Sequence, residues 1–345
     1  MIKSLGQELK MRANYCQEPI ETIYFGGGTP SILEIADIKY LLTVIFDNYE
    51  ANQVAEITLE ANPEDMTAAK LEQWIEAGIE RLSIGIQTFS DDKLKAINRA
   101  HTADRARKAL QAVEVVGYEN YSCDLIYAIP PYDLEIWKRD LDEVMAFQPP
   151  HISMYSLTIE PKTVFGSRLK QGKLHELTDE ENATQYDLTV QQLSKAGYLH
   201  YEVSNFCKPG FQSRHNTNYW RGESYLGIGP GAHSFDQKSR YWNVANNHLY
   251  IKSISKGELP LTSERLNATA QANEYILTRL RTWMGIDFDH LKSSFGLDLR
   301  ESQNSYISWL LQSKYAEEDG STLRLTDDGL ARADEITLKF FQDDT

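Results

Sequence analysis

The run Ile20-Glu21-Thr22-Ile23-Tyr24-Phe25-Gly26-Gly27-Gly28-Thr29-Pro30-Ser31 decides the fold. A short apolar segment, Ile20 to Phe25, breaks into three glycines and is followed by Thr29-Pro30, a pair that predicts the start of a helix. The same grammar repeats downstream. Strand-like runs lie at Glu56 to Glu60, Arg81 to Ile86, Tyr121 to Tyr127 and Ile152 to Leu157. Between them the apolar spacing is helical: Leu71, Trp74 and Ile75 ending at Gly78, Ala106, Leu110 and Val113 ending at Gly117, and Leu134, Trp137, Leu141 and Val144 stopped by Pro149-Pro150. Strand, helix, strand at spacings of roughly 25 to 40 residues predicts βαβ units, and hence a parallel sheet or barrel.

Beyond the fifth run the pattern changes. Thr178 with Glu181 three residues later predicts a capping box, opening a helix through Tyr186, Val190 and Leu193 to Gly197. After it the alternation is lost. From about residue 262 the chain reads as helical, and Tyr315 to Thr326 predicts a hairpin before a last helix, a small winged-helix-like module. The predicted organisation is a parallel barrel segment over 1–170, a connecting α+β region over 171–261 and a C-terminal helical, winged-helix-like domain over 262–345.

A net charge of −15 and a pI near 5.0 argue against nucleic acid or an anionic membrane as partner, since the summed field repels both. The C-terminal module shows no basic recognition face, which favours an accessory role over DNA binding. No apolar run approaches the roughly 18 residues of a membrane span. Cys16, Cys123 and Cys207 are odd in number and far apart, so they form no disulfide framework and no CxxC site; a reducing, cytoplasmic compartment is expected. Cys16 reads as a bystander on the first helix. The oligomeric state stays open.

In a parallel barrel the loops after the strands converge on one face, where polar residues are more often functional than structural. Consecutive glycines at 26–28 expose main-chain groups to a ligand, or merely make a tight turn. Glu60 and Asp124 close otherwise apolar runs and need partners if buried. A ligand hydroxyl or ammonium would satisfy them; so would a salt bridge to Arg81 or Arg99. Gln87 also ends a strand, and Arg99 in the following loop offers a clamp for a carboxylate.

GGGTPS at 26–31, EANP at 60–63, GIQTF at 85–89, NRAH at 98–101 and DLIYAIP at 124–130 together resemble the radical S-adenosylmethionine proteins related to oxygen-independent coproporphyrinogen dehydrogenase. HNTNYW at 215–220 and GIGPGAHS at 227–234 resemble the HemW branch, whose members are regarded as heme chaperones. The resemblance implies a partial radical S-adenosylmethionine barrel in which Gly27, Gly28 and Thr29 contact the methionine part of S-adenosylmethionine. It implies that Glu60, Gln87, Arg99 and Asp124 hold its polar groups. It also implies heme and heme-acceptor proteins as partners, with His215 and His233 as candidate axial ligands; core packing is the plainer reading of Tyr219 and Trp220.

One departure stands out. The family holds a 4Fe-4S cluster with CxxxCxxC in the loop after its first strand, and this chain has no such motif. The expectation is that Met1 is a truncated or misassigned start, which would leave out the first strand and the cluster loop; a true cluster-less relative is the other reading. No cluster and no radical chemistry are expected of the chain as it stands. The functions in play are a heme chaperone, the coproporphyrinogen dehydrogenase itself, or a cluster-less binding protein.

Overall fold

The computed structural model describes residues 1–161, 163–172 and 174–343. They form two compact units, each discontinuous in sequence: Met1–Ile23, Leu33–Glu56 and Ser213–Thr345 in the first, Tyr24–Ile32 and Ile57–Gln212 in the second. The boundaries read from the sequence at 170/171 and 261/262 fall inside these units.

The second unit is built on a seven-stranded sheet. Its strands are β1 (Thr22–Phe25), β2 (Glu56–Ala61), β3 (Arg81–Gln87), β4 (Tyr121–Tyr127), β5 (His151–Ser156), β6 (Leu199–Glu202) and β7 (Asn205–Cys207), in the order β1-β2-β3-β4-β5-β7-β6. β2 to β5 pair in parallel, as expected of βαβ units. β7 then joins β5 antiparallel and pairs with β6. The five runs read from the sequence correspond to β1 to β5, with β1 starting at Thr22 rather than Ile20. The β6–β7 hairpin went unread because strands of four and three residues are too short to show a period.

The helices between these strands follow their sequence signals. Ala103–Val116 is capped by Thr102 Oγ1, buries Ala106, Ala109, Leu110 and Val113, and stops at Gly117 with φ 74°. Asp179–Lys195 opens on the capping box between Thr178 and Glu181. Thr29-Pro30, however, does not start an α-helix: Pro30–Ile32 is one 3-10 turn, and the α-helix begins at Ile35.

Alternation along the strands gives the sheet two unlike faces. One carries Leu59, Ala61, Leu82, Ile84, Ile86, Cys123, Leu125, Ile152 and Met154, all buried. The other carries Thr58 and Glu60 on β2, Arg81, Ser83, Gly85 and Gln87 on β3, Ser122 and Asp124 on β4, and His151 and Ser153 on β5. The polar face thus runs the length of the strands, where the sequence reading had placed polar residues only at their ends.

In the first unit the helix Ile2–Met11 packs on Ile35–Asn48, and Gly6 leaves no room for a Cβ beside the Tyr40 ring. The first helix ends at Met11, so Cys16 lies in the loop beyond it rather than on it. Strands β8 (His233–Phe235), β9 (Ser239–Asn243) and β10 (Leu261–Arg265) form an antiparallel sheet. The helical region therefore begins at Ala268, not 262, because Leu261–Arg265 is a strand edge. Helices Ala268–Leu280, Phe288–Phe295 and Asn304–Gln312 precede a hairpin of β12 (Ala316–Asp319) and β13 (Thr322–Leu325); β11 (Ile286–Asp287) pairs with β13, and Ala333–Phe340 closes the module. This is the winged-helix-like arrangement the sequence predicts.

Candidate functional site

The C-terminal ends of β2, β3 and β4 and the glycine loop after β1 enclose a cavity of about 170 Å³ in the second unit. Gly28, Thr29, Glu60, Gln87, Arg99 and Asp124 line it, together with Pro30, Ser31, Ala61, Asn62, Ser83 and Gly85. Gly27, singled out in the sequence, does not line it; its N–H donates to Glu60 Oε2 at 3.2 Å. Tyr24 Oη donates to Glu60 Oε1 at 2.8 Å, so one carboxylate ties the glycine loop to the strand before it and the strand beside it. Burial raises the pKa of Glu60, and the bonds from Tyr24 and Gly27 oppose that shift.

The glycines differ in what they require. A Cβ at Gly26 would lie 2.5 Å from the Tyr24 ring and 2.9 Å from Glu60 Oε1. Gly27 and Gly28 have open space but adopt φ 71° and 97°, a backbone that L side chains resist.

Asp124 accepts from Ser83 Oγ at 2.6 Å and Ser122 Oγ at 2.7 Å. Burial raises its pKa, and the serine hydroxyls pull it back. Among the described residues neither Glu60 nor Asp124 forms an ion pair with an arginine or lysine, so the salt bridges to Arg81 or Arg99 weighed from the sequence are not made. Arg99 lines the cavity; its backbone N–H bonds Leu94 O, and its guanidinium has no hydrogen bond or ion pair among the described residues. The cavity thus offers a free cation together with two carboxylates, a match for a ligand bearing both a carboxylate and an ammonium or hydroxyl.

Gln87 is buried, with φ 67°, at an irregularity where β3 leaves its register with β4. Such a backbone persists only when its surroundings hold it. Asp140, on helix Leu134–Ala146, does so by accepting from Thr88 Oγ1 at 2.5 Å and Phe89 N at 2.8 Å. Gly85 leaves room for the Gln87 amide, which a Cβ there would approach to 2.7 Å. Sequence reasoning missed Ser31, Asn62, Ser83 and Gly85 as lining residues. The signal for two of them was the alternation Arg81-Ser83-Gly85-Gln87.

His215 and His233 belong to the first unit and do not line this cavity. His215 sits in the first turn of helix Arg214–Arg221, its Nδ1 2.8 Å from Thr22 Oγ1 and its ring edge-on to Tyr219 at 5.0 Å. Glu56 caps that helix, accepting from Arg214 N at 2.9 Å and His215 N at 3.1 Å. Tyr219 is 41% exposed, so core packing does not describe it. His233 is exposed and stacks on Trp242. The GIGPGAHS loop is fastened by the first helix: buried Glu8 accepts from Gly229 N, Asn243 Nδ2 and Tyr250 Oη at 2.9, 2.7 and 2.5 Å, and Arg12 donates to Gly227 O and Ser234 Oγ.

Cys16, Cys123 and Cys207 are all free, the last two buried, and burial raises each thiol pKa, away from the thiolate a metal needs. Among the described residues no group of three or more His, Cys, Asp or Glu could hold a metal ion. The side chains of this chain therefore do not fit a 4Fe-4S cluster.

The Radical SAM superfamily model matches residues 6–144, and the HemN C-terminal domain model matches 266–332. The heme chaperone HemW of Lactococcus lactis subsp. lactis is 35% identical over 343 residues, covering 99% of this chain and 89% of that protein. The chain belongs to the HemW family of radical SAM proteins. HemW of Bacillus subtilis is 32% identical over 338 residues, covering 97% of this chain and 89% of its own, and HemW of Escherichia coli is 38% identical over 285, covering 81% and 74%. The solved structure of coproporphyrinogen III oxidase (HemN) from Escherichia coli superposes with a TM-score of 0.83 at 20% identity, covering 99% of this chain and 82% of that one. At that identity the likeness shows that this chain shares the fold of HemN, not its activity. No helix among the described residues is long and apolar enough to cross a membrane.

Proposed function

We propose that this chain is a heme chaperone that binds S-adenosylmethionine in the strand-end cavity and passes heme to acceptor proteins. The names of its HemW relatives support the heme half. The observation that carries the cofactor half is Arg99, its guanidinium without a partner among the described residues, lining one cavity with Glu60 and Asp124. An α-amino acid end presents a carboxylate for Arg99 and an ammonium for Glu60, and a ribose adds hydroxyl donors for Asp124. In this reading Gly28 and Thr29 lie along the methionine chain, and Gln87 and Asp124 take the polar groups of the nucleoside. Gly27 acts from behind, through Glu60.

S-adenosylmethionine is a reactive sulfonium whose chemistry in this superfamily is started by an iron–sulfur cluster. The residues here offer no thiolate set for that cluster, so no radical step is assigned to them. A brown, cluster-bearing protein after anaerobic reconstitution with iron and sulfide would contradict this. The reading places the protein in the cytosol, where three unpaired thiols stay reduced.

Calorimetric titration with S-adenosylhomocysteine tests the cavity. Arg99→Ala is expected to weaken binding by about tenfold or more, equivalent to about 1.4 kcal/mol; unchanged affinity would refute the assignment. Heme titration followed by Soret absorbance, with His215→Ala and His233→Ala, tests the heme half. A Soret band that shifts on addition of protein and is weakened in one variant supports it, and no shift with the parent protein refutes it.

A further inference from the structure

Behind the cavity the polar face of the sheet carries a buried chain of side chains. Tyr201 Oη lies 2.7 Å from His151 Nε2, His151 Nδ1 lies 2.9 Å from Ser122 Oγ, and Ser122 Oγ donates at 2.7 Å to Asp124 Oδ1. Tyr201 is 2% exposed, and His151 and Ser122 are fully buried. Only Asp124, at the far end of the chain, borders the cavity.

Proton counting gives the chain a direction. Ser122 has one hydroxyl proton, and Asp124, whose carboxylate only accepts, takes it; Ser153 Oγ, 2.9 Å from Ser122 Oγ, then donates to Ser122. The contact between Ser122 Oγ and His151 Nδ1 is then a hydrogen bond only if Nδ1 carries a proton. His151 is neutral, because burial and then the Arg81 charge hold its pKa well below the usual histidine value. A neutral ring protonated at Nδ1 leaves Nε2 bare, and Nε2 accepts from Tyr201. Every proton therefore points toward Asp124. In the opposite tautomer the Nδ1 lone pair would compete for the Ser122 proton and draw it off the carboxylate.

Acceptor capacity supplies the second step. A carboxylate has about four acceptor positions. Ser83 Oγ fills one on Oδ2 and Ser122 Oγ one on Oδ1. Asp124 lines the cavity, and the acceptor capacity these bonds leave it suits a donor there.

We propose that His151 is a positioning residue: it holds Ser122 as a donor to Asp124 and so reserves the free acceptor position of Asp124 for a hydroxyl or ammonium on the ligand. This rests on the reading of the cavity as an S-adenosylmethionine site. It adds a determinant that touches no ligand itself.

Two measurements test it. In protein labelled with 15N-histidine, with the His151→Asn variant assigning the resonance, His151 is expected as the neutral Nδ1–H tautomer across the neutral pH range. A neutral Nε2–H ring or a charged ring would overturn the proposal whether or not any ligand binds. The second is S-adenosylhomocysteine titration of two variants. His151→Asn can place an amide N–H where Nδ1–H stood and is expected to bind within about twofold of the parent. His151→Gln reaches the Nε2 position, keeping a partner for Tyr201 but not Ser122, and is expected to bind about tenfold more weakly. Both lose stability, so a merely structural role would weaken both alike. Equal affinities for Asn and Gln therefore refute the positioning role. A parent protein that binds no S-adenosylhomocysteine refutes the cavity reading and the ligand half of this proposal, while the tautomer half is decided by the resonance alone.

Discussion

Asp140 allows a test in which sign and size are both fixed in advance. It is 3% exposed, and its carboxylate holds Thr88 Oγ1 and Phe89 N, the two residues after the left-handed Gln87. Burial pushes its pKa from 3.8 to about 6, although both hydrogen bonds pull the other way. A folded pKa above the unfolded one means that the fold binds the proton more tightly. Its contribution to stability is fully present below the unfolded pKa of about 3.8 and is lost as the pH rises through about 6. A displacement of that size is worth about 3 kcal/mol, at about 1.4 kcal/mol for each tenfold change in proton affinity. Asp140→Asn still offers a carbonyl to Phe89 N but cannot ionise. Its amide gives Thr88 a donor where there was an acceptor, an offset of about 1 kcal/mol that does not vary with pH. Urea unfolding of parent and variant at matched pH values cancels the other titrating groups. From about pH 4 to about pH 7 the variant is expected to gain up to about 3 kcal/mol on the parent. A difference that stays flat, or moves against the variant as the pH rises, would refute the account of Asp140 as a carboxylate held ionised at a cost to the fold.

Gly27→Ala is expected to cost about 1–2 kcal/mol in chemical denaturation, from its φ of 71° alone, because nothing lies within 4 Å of the added methyl. Gly26→Ala meets the Tyr24 ring and Glu60 Oε1, so it is expected to cost more and also to weaken S-adenosylhomocysteine binding; equal effects at the two glycines would contradict the distinction. Glu8→Ala strips a buried acceptor from Gly229, Asn243, Tyr250 and Arg12 and is expected to destabilise by about 3–5 kcal/mol in urea, and a loss below about 1 kcal/mol would show that the network relaxes freely. Glu56→Gln removes a negative charge from the N-terminus of helix Arg214–Arg221; hydrogen exchange at the Arg214 and His215 amides is expected to accelerate about fivefold or more, and unchanged protection would mean that the charge does not matter.

The parallel strands were legible because strands covered on their helix-facing side carry unbroken apolar positions, and Tyr121–Tyr127 has the bounds the sequence suggested. The same density of apolar residues hid the second face. Arg81-Leu82-Ser83-Ile84-Gly85-Ile86-Gln87 alternates from end to end, yet its apolar half is enough to suggest a simple buried strand. His151 and Ser122 sit at the start of β5 and near the start of β4, positions where barrel logic looks for stability rather than chemistry. Asp140 was out of reach for another reason. It lies on a helix whose periodicity is fully explained by Trp137, Leu141 and Val144, and only tertiary structure brings it under Phe89.

The two motifs that resemble the HemW branch gain a physical division of labour. In GIGPGAHS, Gly227 has the His233 carbonyl where a Cβ would stand, Ser234 Oγ bonds both Gly227 N and Arg12, and Gly229 N is taken by Glu8. In HNTNYW the first backbone amide belongs to Glu56 and Thr217 Oγ1 to Ser213 O. These residues of each motif are thus committed to holding their own loop or helix in place. The most exposed rings of the two motifs are His233, on Trp242, and Tyr219, beside His215 and Tyr225. In the proposed heme reading these rings are the candidate contacts for a flat, largely apolar ligand. On that reading, substitution of the residues that hold the backbone, such as Glu8, is expected to move urea stability and Soret-monitored heme binding together, whereas His233→Ala and Tyr219→Ala are expected to move heme binding alone; loss of stability in the latter pair would refute the division.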